Sequence, residues 1–142
     1  MLRENHKGFT MVEMVITLTV MSVIASAALP RIINIVGSAK KGSRDNIVGT
    51  VRSGIGLVKI GTIDDSNPFG NLPTELDSLA AGASCNSGSG CFTNVLETGH
   101  GVQDSHWSKA TATSYDFDAS GTVSRYTYNR TNGTFLCTSG SC

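Results

Sequence analysis

From Phe9 to Val36 the chain runs FTMVEMVITLTVMSVIASAALPRIINIV, with only Glu13 and Arg31 charged. Periodicity over that stretch is masked, because nearly every position is apolar, and a helix that is hydrophobic all round is the reading such a run supports. Beyond Pro30 the pattern changes. Ile33, Val36, Ile47, Val51, Ile55 and Val58 recur mainly at steps of three and four, with Lys40, Lys41, Arg44, Asp45, Arg52 and Lys59 between them. That spacing predicts an amphipathic helix that continues the first and ends near Gly61. Gly37, Gly42, Gly49, Gly54 and Gly56 each weaken a helix interior by about 1 kcal/mol relative to Ala. They serve either close packing or a local bend between Gly37 and Gly42.

The remainder reads differently. Asp64–Gly70 and Gly82–Gly90 are turn-rich, and Leu72–Leu79 between them is expected to be a short helix begun by Pro73. Three β-prone runs follow, Thr113–Asp118, Thr122–Tyr128 and Thr134–Thr138, separated by Ala119-Ser120-Gly121 and by a turn containing Asn132-Gly133, a strong hairpin signal. The expected fold class is α+β: one long amino-terminal helix packed on a small antiparallel sheet of at least three strands, burying Tyr115, Phe117, Val123, Tyr126 and Phe135. The segments are 1–8, an apolar helix 9–29, an amphipathic helix 30–61 and a globular head 62–142.

Charge and cysteine content narrow the function. In 142 residues 11 basic side chains balance 11 acidic ones, so no basic surface exists for phosphate backbones and no nucleic-acid partner is expected. All four cysteines, Cys85, Cys91, Cys137 and Cys142, lie in the head among Ser and Gly, which points to disulfides in an exported domain. Sequence admits three pairings. The short loops Cys85–Cys91 and Cys137–Cys142 are the expected ones, and a link from the connecting loop to the tail is the alternative. Their spacing is too loose for a zinc site, and no His sits beside them.

The apolar stem is long enough to cross a bilayer, which takes roughly 20 residues. Arg3 and Lys7 before it and Ala25-Ser26-Ala27 within it also fit a cleaved secretory signal. A globular core helix is a poor fit, since the remaining polar residues could not enclose it. Glu13 is the discordant residue: a carboxylate in an apolar helix asks for a cation.

The run Lys7-Gly8-Phe9-Thr10-Met11-Val12-Glu13, the apolar helix behind it and Pro30 at its far end together resemble the amino terminus of type IV pilins and of the pseudopilins of type II secretion. The resemblance covers about 30 residues and implies cleavage between Gly8 and Phe9 by a membrane-embedded prepilin peptidase, which also methylates the Phe9 amine. It implies that Glu13 pairs with the Phe9 amine of a neighbouring subunit, setting register in a helical filament, and that Pro30 is the helix-breaking proline. Phe9, Glu13 and Pro30 are thus the expected assembly residues. Physical chemistry agrees in part: Gly8 puts no side chain beside the scissile bond, and Pro30 should kink or loosen a helix. The family also implies an inner-membrane precursor with its head in the periplasm, a surface or periplasmic filament, and partners in the inner-membrane assembly platform and an outer-membrane secretin.

Other chemistry is thin. Asp116 and Asp118 with Gly121 begin like a calcium loop, but position twelve would be Thr127; acids on the solvent face of a strand are the simpler expectation. His100, His106, Asp104 and Trp107 share a loop-like region without a hydrolase motif, and no phosphate- or dinucleotide-binding fingerprint occurs. Asn129 and Asn132 match glycosylation acceptors that turn chemistry already explains. The expectation is a non-enzymatic filament subunit without a cofactor, more a pilus subunit than a pseudopilin, with a secreted soluble binding domain as the rival from another class.

Overall fold

The computed structural model describes residues 8–96 and 100–142. A single helix, α1, spans Met11–Gly61 and is followed by four strands: β1 Trp107–Lys109, β2 Ser114–Asp118, β3 Val123–Tyr128 and β4 Phe135–Ser139. The class is α+β, and the sheet is antiparallel throughout in the order β1-β2-β3-β4. The chain divides into two compact units, residues 1–38 and 39–142.

In the first unit the helix start is built locally. Thr10 Oγ1 accepts the Glu13 N–H at 3.2 Å, and the Thr10 carbonyl accepts the Met14 N–H. Thr10 is therefore the N-cap. Every later hydroxyl of the apolar run bonds back to its own helix: Thr17 to the Met14 carbonyl, Thr19 to Ile16, Ser22 to Leu18 and Ser26 to Val23, all at 2.7–2.9 Å. These side chains offer no unsatisfied donor to apolar surroundings. The helix is assigned continuously through Pro30, so the proline does not end it. Proline removes one intrahelical bond, and long helical flanks on both sides tolerate that loss.

In the second unit α1 presents Arg44, Val48, Val51, Gly54 and Ile55 to the head. Val51 and Ile55 were expected there. Ile33 and Val36, placed on the same stripe by sequence, are exposed instead. Gly54 is the glycine of close approach, since a Cβ at that position would overlap the Val95 carbonyl, whereas Gly42, Gly49 and Gly56 face open space. The core is aromatic. Phe92 lies at its centre, with ring centroids 4.4 Å from Tyr115, 5.6 Å from Trp107 and 5.7 Å from Phe135.

The three expected strands form, and a fourth precedes them. Trp107, assigned by sequence to a loop, lies in β1 and is fully buried. The outer edge of β1 is covered: Cys85 N–H donates to the Trp107 carbonyl, and the Lys109 N–H donates to Ala83. Val123 was expected inside and is 48% exposed. Side chains alternate along a strand, so once Ser124, Tyr126 and Tyr128 face inward Val123 must face out. The β2–β3 turn places Ser120 and Gly121 at φ 67° and 95°, the two consecutive positive values of a tight hairpin turn.

The expected helix at Leu72–Leu79 does not form. Its carbonyls are claimed from afar: Pro73 accepts the Tyr128 hydroxyl, Glu75 the Asn94 amide, Leu76 the Asn94 N–H and Asp77 the Lys109 ammonium. Acceptors so engaged cannot close a helical ladder.

In the full chain in detergent, Gly54→Ala should lower head stability in urea unfolding by about 1–3 kcal/mol through overpacking. Gly49→Ala, in open space, should raise it by up to about 1 kcal/mol.

Candidate functional site

Gly8, Phe9 and Thr10 precede the first helical turn and are exposed. Nothing lies within 4 Å of the position a Gly8 side chain would take, and Phe9 is 77% exposed. The Gly8–Phe9 peptide bond is thus sterically open. Glu13 stands in the first turn of α1, exposed, where the positive end of the helix dipole favours an acid. The Thr10-x-x-Glu13 spacing is a capping-box signal legible in the sequence but missed there; the structure shows its Thr10 half, the hydroxyl accepting the Glu13 N–H. Arg3, Glu4 and Lys7 lie outside the described residues.

Behind this start the stem is bare. Val12, Leu18, Val23 and Ile33 are each more than half exposed, and the helix holds an 18-residue window of mean hydropathy 2.0, none of it buried. By length and composition α1 can cross a membrane.

In the head the disulfides are Cys85–Cys91 and Cys137–Cys142, both local. Ser141 in the second loop ties down the tail, its carbonyl accepting from Arg44 and from the Ser124 hydroxyl at 2.7 Å each.

The calcium candidates are otherwise engaged. Asp116 takes both oxygens to Arg125 at 2.7 Å, a hydrogen bond and charge that hold the guanidinium above its ordinary pKa, and Asp118 accepts the Gly121 N–H across the hairpin turn. Among the described residues no group of three or more His, Cys, Asp or Glu is arranged to hold a metal ion. His106 Nδ1 lies 2.7 Å from Asp104 Oδ1, but no serine joins them among the described residues. His100 lines a separate polar pocket of about 240 Å³ with Ser87, Ser89 and Gln103.

The polar centre of the head was not anticipated. Asp77, fully buried, accepts four hydrogen bonds: Lys109 Nζ at 2.8 Å and Leu79 N–H at 3.1 Å on Oδ1, Phe92 N–H at 2.9 Å and the Tyr115 hydroxyl at 2.8 Å on Oδ2. Phe92 has φ 64°, a left-handed conformation costly for a large side chain, and the Asp77 bond to its N–H holds it there. Burial, reinforced by the Asp77 charge and hydrogen bond, pushes the Tyr115 hydroxyl above its ordinary pKa of 10.0. Burial also raises Tyr126 and Tyr128.

Comparison with known proteins bears on the stem alone. The model of the prokaryotic N-terminal methylation motif matches residues 3–29. The chain carries a prepilin leader. This is the leader of type IV pilins and pseudopilins, and the match includes Gly8, Phe9 and Glu13 but nothing of the head. No curated protein and no solved structure matches the chain. The match takes in most of the apolar run, and by length and composition that helix suits membrane anchoring.

The tyrosine shifts carry a sign. A phenol whose folded pKa is raised contributes stability in full below its unfolded value near 10.0, and that contribution is lost as pH climbs toward the folded value. The head should therefore hold its near-ultraviolet circular dichroism to about pH 10. Above that it should unfold with the tyrosines ionising together in the 295 nm absorbance. Tyr115→Phe should move this transition upward, while costing about 1–3 kcal/mol at neutral pH by leaving Asp77 one donor short.

Proposed function

We propose that the protein is a structural subunit of a type IV pilus-like filament, made as a membrane precursor, cut between Gly8 and Phe9, methylated at the new Phe9 amine and polymerised through its stem. The observation that carries this reading is an apolar helix, bare of cover, that begins inside the matched motif three residues after Gly8 and bears a lone carboxylate in its first turn. Apolar area left in water costs about 25 cal/mol per Å². Such a surface calls first for lipid and then for neighbouring helices. Cleavage supplies a cation at Phe9, and Glu13 supplies its counter-charge. A buried ion pair of this kind sets register more than it adds stability, because losing either partner is what costs.

On this reading the precursor sits in the inner membrane with its head in the periplasm. A prepilin peptidase processes it, and an inner-membrane platform and an outer-membrane secretin serve assembly. Two local disulfides and a Thr-rich carboxyl-terminal segment suit a pilus exposed outside the cell better than a periplasmic pseudopilus that pushes secreted proteins.

Intact-mass measurement of the protein from cell membranes and filaments tests the proposal. A mature chain beginning at Phe9 with one added methyl is expected. A chain beginning at Ala28, released in soluble form, would instead mark a signal peptide and a secreted binding domain.

A further inference from the structure

The buried centre of the head contains a nucleophile that filament assembly does not use. Lys109 is 1% exposed, and its Nζ is within hydrogen-bonding distance of Asp77 Oδ1 at 2.8 Å, the Asp77 carbonyl at 3.1 Å and Glu75 Oε2 at 3.3 Å. Asp77 is fully buried, whereas the Glu75 side chain is 40% exposed and reaches solvent. An amine, a carboxyl group and a second carboxylate thus meet at one point, surrounded by the aromatic core.

We infer that Lys109 Nζ and Asp77 Cγ join in an intramolecular isopeptide bond, with Glu75 carrying the proton. The step requires one proton to pass from ammonium to carboxylate along the 2.8 Å contact, leaving amine and carboxylic acid. The Nζ lone pair then attacks Cγ. Negative charge develops on Oδ2, where the Phe92 N–H and the Tyr115 O–H already point, so an oxyanion-type site is in place before the reaction begins. Glu75 takes a proton from Nζ and returns it to Oδ1, the C–Oδ1 bond breaks, and water leaves. Amine and acid give amide and one water, with no change in net charge and no oxidant or reductant.

Amide formation is unfavourable between free groups in water. Two groups held in register have effective molarities of about 10⁵–10⁸ M, far above the concentration of the water that would reverse the step. The bond would close a loop across a sequence separation of 32 that contains the whole Cys85–Cys91 disulfide, anchoring β1 covalently to the segment before it.

Peptide mapping of the full chain after denaturation, reduction and alkylation decides the matter. Lys109 and Arg125 are the first two tryptic sites after Lys59. The cross-linked protein should yield one peptide covering 60–125, uncut at Lys109 and lighter than its sequence by one water. Glu75→Gln, folded by circular dichroism and with both disulfides intact, should restore cleavage and the full mass, and Lys109→Met, which removes that tryptic site, should give the peptide 60–125 at full mass if it folds. Wild-type peptides 60–109 and 110–125 at full mass would overturn the bond and leave a plain ion pair. Loss of water with Lys109 still cut would overturn it as well, and water loss persisting in Glu75→Gln would overturn the role of Glu75.

Discussion

An uncovered apolar helical surface governs the amino-terminal unit of this protein. Its backbone is satisfied within α1, and its hydroxyls return to carbonyls one turn back. What is left is hydrocarbon, at about 1.5–3 kcal/mol for each large side chain that finds cover. Such a surface is indifferent to which apolar neighbour it meets, lipid or another stem. Direction and register must come from something polar, and within the run from Phe9 to Leu29 the charged side chain is Glu13 alone. The Thr10 cap fixes where the helix begins, and so fixes the height of that carboxylate relative to the Phe9 amine that cleavage would create.

The head follows different physics. Its core is small and aromatic, and its specificity comes from one carboxylate with all its demands met. Asp77 gathers donors from Lys109, Leu79, Phe92 and Tyr115, segments that secondary structure alone would leave unconnected. A network so fully paired fixes one arrangement of loops, whereas removing any member exposes the rest to an uncompensated burial penalty. The tail is secured separately, with Arg44 and Ser124 holding Ser141 beside the Cys137–Cys142 link.

Much of this was legible in the residues. The end of α1 at Gly61, three strands and the hairpin turn at Ser120-Gly121 follow from periodicity and turn chemistry, because those signals are local. The misses share a cause as well. Leu72–Leu79 has helix-like composition, yet its carbonyls are taken by Tyr128, Asn94 and Lys109 from far along the chain, and no local pattern encodes that. Trp107–Lys109 is too short to show alternation. Val123 is apolar, but strand parity and not hydrophobicity decides which way it faces, and the Thr10 cap is a local signal that the sequence also carries. For the candidate site, the leader and its glutamate could be found because chemistry there is written in consecutive residues. Asp77 and Lys109 could not, being single charges whose meaning appears only when the fold joins them.

The most direct test of the central claim removes the charge of Glu13 and little else. Gln is close to isosteric and leaves the backbone N–H that Thr10 caps. Electron microscopy and quantification of sheared filaments from cells carrying Glu13→Gln, beside the amount of processed protein in their membranes, would report the outcome. The account predicts normal processing at Phe9, mature subunits accumulating in the membrane and filament yield reduced at least tenfold, the equivalent of about 1.4 kcal/mol or more in assembly. Filaments at wild-type yield and order would contradict it.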